Sequence, residues 1–122
     1  MESIQANVKI NDLISALEKG FDGEKAIVAL TEIRELALKE TDPLLVKVTR
    51  LAYEYIKENN NFNYTVEKVD RDYEEEEEEE LMEPGTDSEN LTYLMQLIKK
   101  SDNEINREEI KEMRTWLKSE LY

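Results

Sequence analysis

From Asn61 to Gly85 runs "NFNYTVEKVDRDYEEEEEEELMEPG", which has no apolar face of helical period and carries seven consecutive glutamates near its centre. Adjacent like charges repel and bury nothing, so this stretch favours an extended, solvated course despite glutamate's good helix propensity. Any fold open to the chain must carry it as an excursion between two separately patterned ends. The charge is also local: residues 61–90 hold 13 acidic and two basic residues, a net of −11 out of a chain total of −14. Residues 1–60, with 11 acidic and eight basic, and residues 91–122, with six of each, stay close to neutral.

Both ends show the period of amphipathic helices. Ile10, Leu13, Ile14 and Leu17 share a face, Asn11 or Asp12 is placed to cap it, and Gly20 suits its stop, which predicts a helix over 10–19. Ala26, Ile27, Leu30, Ile33 and Ala37 predict a second over 24–39. Asp42 can cap a third over 43–59, because Pro43 then occupies the first turn, where its missing N–H costs nothing. Leu44, Leu45, Val48, Leu51, Ala52, Tyr55 and Ile56 give this third helix a broad stripe, and Asn59 to Asn61 end it.

In the second half, Thr86 with Glu89 and Asn106 with Glu109 have the spacing of a capping box. Each precedes an apolar face: Leu91, Leu94, Met95 and Ile98 in one case, and Ile110, Met113, Leu117 and Leu121 in the other. Helices over 87–100 and 107–121 follow. A chain of 122 residues supports one modest core. The expected fold is therefore all-α, a single domain over 1–122 built as a small bundle of about five helices, with an acidic, mostly extended central loop over 61–85. Phe62, Tyr64 and Val66 alternate with polar residues, so 62–66 is either a short strand with no second strand to pair with, or an extended segment laid against the helices.

The segment Ala26 to Ile56, "AIVALTEIRELALKETDPLLVKVTRLAYEYI", resembles a single HEAT-type helical hairpin, with Asp42 and Pro43 at its turn and Val48 and Ala52 on its second helix. The pattern does not recur at a fixed period, and a solenoid needs about three stacked units. The resemblance implies a helical hairpin here and no more.

Several chemistries are excluded by residue type. The chain has no His and no Cys, which removes the usual proton shuttle, nucleophilic triads, thiolate chemistry and ordinary zinc sites. Glu32 with Glu35 and Glu108 with Glu112 share helical faces, but a di-iron site of paired glutamates also needs Glu-x-x-His. Gly20, Gly23 and Gly85 are too scattered for a phosphate loop. A calcium loop starting at Asp102 fails at Arg107, where Gly is required, and at Met113, where a bidentate Glu belongs. No catalytic, cofactor or metal residue is assigned.

Basic residues are matched or outnumbered by acids in every section, so direct nucleic-acid binding is not expected. No apolar run approaches the roughly 18 residues of a membrane span, and a cytoplasmic location is expected.

What remains is binding. The candidate element is Tyr73, Glu74, Glu75, Glu76, Glu77, Glu78, Glu79, Glu80, Leu81 and Met82, in which the carboxylates steer a basic partner and the flanking apolar residues anchor it. The leading expectation is a nonenzymatic acidic interaction protein acting on a basic protein as inhibitor, immunity-type neutraliser or regulator. Two other readings stand beside it. One is a structural or oligomeric helical protein whose tract only solubilises it and whose contact surface is Tyr93, Met113 and Trp116. The other is a nucleic-acid mimic that occupies a basic groove.

Overall fold

Every helix start among the described residues is fixed by a side chain that accepts a free backbone amide. In the computed structural model, which describes residue 1 and residues 3–64 and 86–122, five helices follow these caps. They are α1 (Ile4–Lys19), α2 (Gly23–Lys39), α3 (Pro43–Asn59), α4 (Asp87–Lys99) and α5 (Glu104–Leu121). Asp42 accepts from the Leu45 amide with Pro43 in the first turn of α3, and Thr86 and Glu89 form the complete reciprocal box that starts α4. Asn60, at φ 56°, ends α3 in the left-handed conformation, and Gly20 ends α1 at φ 143°.

Two starts differ from the sequence expectation by more than one residue. α1 begins at Ile4 rather than residue 10, capped by Ser3, because the small side chain of Ala6 extends the buried face one turn beyond Ile10. α5 begins at Glu104 rather than 107. Asn103 is its cap, while Asn106 lies within the helix and its side chain donates to the Lys100 carbonyl. Glu109 is then free of any capping role and accepts from the Tyr93 hydroxyl. No strand forms among the described residues. Phe62 and Tyr64 are irregular in backbone and buried, as the extended-segment reading expects, and Val66 lies outside the described residues.

The helices close into a ring. α1 packs on α2 and α4, α3 packs on α2 and α5, and α4 and α5 pack on each other. Short turns make α1–α2, α2–α3 and α4–α5 antiparallel. α1 and α4 are antiparallel as well, since the Met1 amino group, just before α1, donates to Ile98 O near the end of α4, while Leu17 and Gly20 at the end of α1 lie beside Thr86 and Glu89 at the start of α4. A ring of five cannot alternate all the way round, so one neighbouring pair must run parallel. That pair is α3 and α5: Asp42 meets Arg107 at one end, and Glu54 meets Tyr122 at the other.

All five helices bury one face in a common cluster that includes Ile10, Leu30, Ile33, Leu45, Leu51, Ile56, Leu94, Ile98, Ile110 and Leu117. Each such side chain, fully withdrawn from water, contributes about 1.5–3 kcal/mol before entropy is counted. The segment that resembles a HEAT hairpin is α2–α3, and here it is two staves of a closed barrel of helices rather than a unit in a stack. No helix among the described residues is long and apolar enough to cross a membrane.

Candidate partner-binding surfaces

Tyr73, the glutamates Glu74 to Glu80, Leu81 and Met82 lie outside the described residues. The structure does describe the residues on either side of positions 65–85. On the N-terminal side, Phe62 is fully buried and Tyr64 is nearly so. Both rest on Trp116 of α5, with ring centroids 6.5 Å away for Phe62 and 5.2 Å for Tyr64. Tyr55 of α3 completes the cluster at 5.9 Å from Phe62 and 5.2 Å from Trp116. Most of these pairs are edge-on, the arrangement in which a ring's positive edge meets a negative face, and each adds about 0.5–1.5 kcal/mol beyond burial.

The C-terminal side is pinned to the same place. The Phe62 amide donates to Asp87 Oδ1 at 3.3 Å, and Asn90 Nδ2 donates to the Phe62 carbonyl at 2.9 Å. Since Asp87 and Asn90 belong to the first turn of α4, both ends of the acidic segment are held at one edge of the bundle.

The alternative surface does not survive as a patch. Met113 is fully buried among the helices and offers nothing to a partner. This corrects its assignment as a contact residue, and the reason is that it continues the core face of Ile110 and Leu117. Trp116 is half-buried and spends its ring on Tyr55, Phe62 and Tyr64. Tyr93 keeps 37% of its surface exposed, and its hydroxyl donates to Glu109 Oε1 at 2.9 Å. Burial, then the hydrogen bond to Glu109 and that carboxylate's charge, push the phenol well above its usual value.

Two features escaped a reading along the chain. The first is a bidentate pair between α3 and α5: Arg107 Nη2 reaches Asp42 Oδ1 at 2.8 Å and Nη1 reaches Oδ2 at 3.2 Å. Arg107 Nη1 also donates to the Ser101 carbonyl. Burial by itself would raise the Asp42 carboxyl, but hydrogen bonds from Arg107 and the Leu45 amide, with the positive charges of Arg107 and the chain's amino group, hold it below its usual 3.8.

The second feature is a groove of about 1010 Å³ along the outside of the parallel α3–α5 seam. It is lined by Pro43, Leu44 and Lys47 from α3 and by Arg107, Lys111, Arg114, Thr115, Lys118 and Ser119 from α5. Among the described residues, no acidic side chain lines it. The signal was present in the spacing of 107, 111, 114 and 118, which at 100° per residue places four cations within a sector of about 60°. Counting charges section by section hides it, because the acids of α5 fall on the rest of the solvent face.

Among the described residues no cluster of three or more acidic side chains could hold a metal ion. Comparison of the chain with family models, with curated proteins and with solved structures finds no match.

Proposed function

We propose that this is a nonenzymatic interaction protein that uses its acidic segment to capture a basic protein surface, acting as an inhibitor, neutraliser or regulator of that partner. The observation that carries the reading is the confinement of a net −11 to residues 61–90, while residues 1–60 and 91–122 need no such charge for solubility. The anchoring of both sides supports it, because the helices then hold the segment at one edge, and a steering element acts best from a fixed base. Such a field attracts cationic surfaces within a Debye length of about 8–10 Å and raises association rates about tenfold or more.

The test is kinetic. A synthetic Lys- and Arg-rich peptide serves as the probe, with association followed by stopped-flow fluorescence between about 0.05 M and 0.5 M salt. Association is expected to slow steeply with salt while dissociation changes less. Replacing Glu75, Glu77 and Glu79 by Gln is expected to slow it at low salt without lowering the melting temperature. An unchanged rate for the triple variant would return the tract to the role of a solubilising loop.

A further inference from the structure

We propose that the basic groove between α3 and α5 docks a second kind of partner element, a short acidic segment of another protein that carries an apolar side chain among its carboxylates. This goes beyond the capture of a basic partner, because it uses a surface of opposite sign on different helices.

Charge complementarity is the first argument. In a chain of net −14, five cations face one groove, and none of its described lining residues is acidic. They are not equally committed. Arg107 is held by Asp42 at 2.8 Å, and Lys111 lies 3.5 Å from Glu108 in an exposed pair that contributes little. Lys47, Arg114 and Lys118 have no ion-pair partner among the described residues. Among the described residues, three positive groups are therefore unpaired, and a fourth is weakly held.

The floor argues for a peptide. Leu44, at 9% exposure, and the exposed Pro43 line the groove together with these cations, so a docked chain meets apolar surface beside charge. From Arg107 to Lys118 the seam rises about 16 Å along α5, which matches five or six extended residues or three helical turns. A nucleic-acid strand would meet the same cations. Its phosphates would leave the apolar floor uncovered, whereas a peptide with an apolar side chain covers it, so the observations favour a protein segment.

The experiment uses the full chain and a fluorescent eight-residue probe peptide of Asp and Glu with one central Leu, read by anisotropy at about 0.1 M salt. Binding is expected to weaken at least tenfold in the variant Lys47→Glu, Arg114→Glu, Lys118→Glu. The control Lys19→Glu, Lys25→Glu, Lys39→Glu makes the same change in net charge away from the groove, and a loss of less than threefold is expected from it. A probe with Ser in place of Leu is expected to bind about fivefold more weakly.

Equal loss in the two charge-reversal variants would reduce the effect to net charge and overturn the proposal, as would no measurable binding by the wild-type chain. An oligonucleotide of equal charge binding as tightly as the peptide would assign the groove to phosphates instead. If the Gln variant at Glu75, Glu77 and Glu79 bound the probe more than tenfold more tightly, the occupant would be the chain's own acidic segment. If wild type sedimented as an oligomer that the groove reversal dissolved, the occupant would be a second copy. Either result overturns the assignment to a separate partner. Because probe and variants differ in sign from those that test the acidic segment, one reading can fail while the other stands.

Discussion

Asp42 does two things with one carboxylate. Oδ1 accepts the Leu45 amide that starts α3 and also the guanidinium of Arg107 from α5, so the side chain fixes both a helix start and a seam. Substitution separates the roles. Asp42→Asn keeps a good cap and loses the charge pair, and a cost of about 1 kcal/mol is expected. Asp42→Ala also removes the cap and strands Arg107, for an expected loss of about 2 kcal/mol. Folding lowers this carboxyl below 3.8, so its stabilisation is present above that value and disappears as pH falls through the lowered one. Chemical denaturation at pH 6 and at pH 2.5 is therefore expected to show a larger acid loss for wild type than for Asp42→Asn. Parallel losses in the two proteins would mean that the pair contributes nothing.

At the scale of elements, the α2–α3 turn shows a rule kept and a rule broken. The Asp42 amide donates to the Ala37 carbonyl and the Thr41 amide to that of Leu38, which is the paired closure of a Schellman motif. That motif wants glycine at its left-handed position, and here a β-branched residue sits there with Thr41 at φ 58°. Its hydroxyl makes no hydrogen bond among the described residues, so nothing visible offsets the strain. Thr41→Gly is expected to stabilise the protein by about 0.5–1 kcal/mol, the relief of strain exceeding the entropy that glycine adds to the unfolded chain. A lower melting temperature for this variant would contradict the strain assignment.

How legible each element was depended on where its signal lay. Asp42 with Pro43, and Thr86 with Glu89, announce helix starts because capping is local chemistry. The first turns of α1 were hidden: Ala6 is buried, while the larger Ile4 and Val8 are 81% and 52% exposed, so side-chain size pointed to the wrong face. At α5 both Asn103 and Asn106 could cap, and only tertiary packing, which hands Glu109 to Tyr93, decides between them. The basic groove was only half legible: the spacing of Arg107, Lys111, Arg114 and Lys118 puts them on one face but does not show what packs beside it. Its residues alternate with acids along the chain, and it exists only because α3 settles against that side of α5 and brings Lys47 with it.

At the scale of the whole molecule, the connection between the two helical blocks is expected to be separable from the core. Phe62 meets Asp87 across 25 residues of sequence, so a much shorter chain can join Tyr64 to Thr86. Replacing residues 67–83 by six Gly and Ser residues is expected to leave the melting temperature within a few degrees of wild type, or slightly higher, since shortening a loop lowers its closure entropy by about 0.6 kcal/mol per halving. A drop of more than about 10 °C would show that this segment supports the fold, and the division into scaffold and binding element would be lost.

The five-membered ring also dictates an order of events in time. Its α1–α2, α2–α3 and α4–α5 seams join chain neighbours, whereas α1–α4 and α3–α5 join segments on opposite sides of residues 65–85. Both long-range seams are made when a three-helix block docks on a two-helix block, so one loop closure carries most of the folding barrier. In the unfolded chain seven adjacent glutamates expand that loop by self-repulsion, and salt relaxes it. Refolding followed by Trp116 fluorescence is thus expected to quicken as ionic strength rises, the reverse of what the same charges impose on partner capture. A salt-independent refolding rate would place the barrier elsewhere.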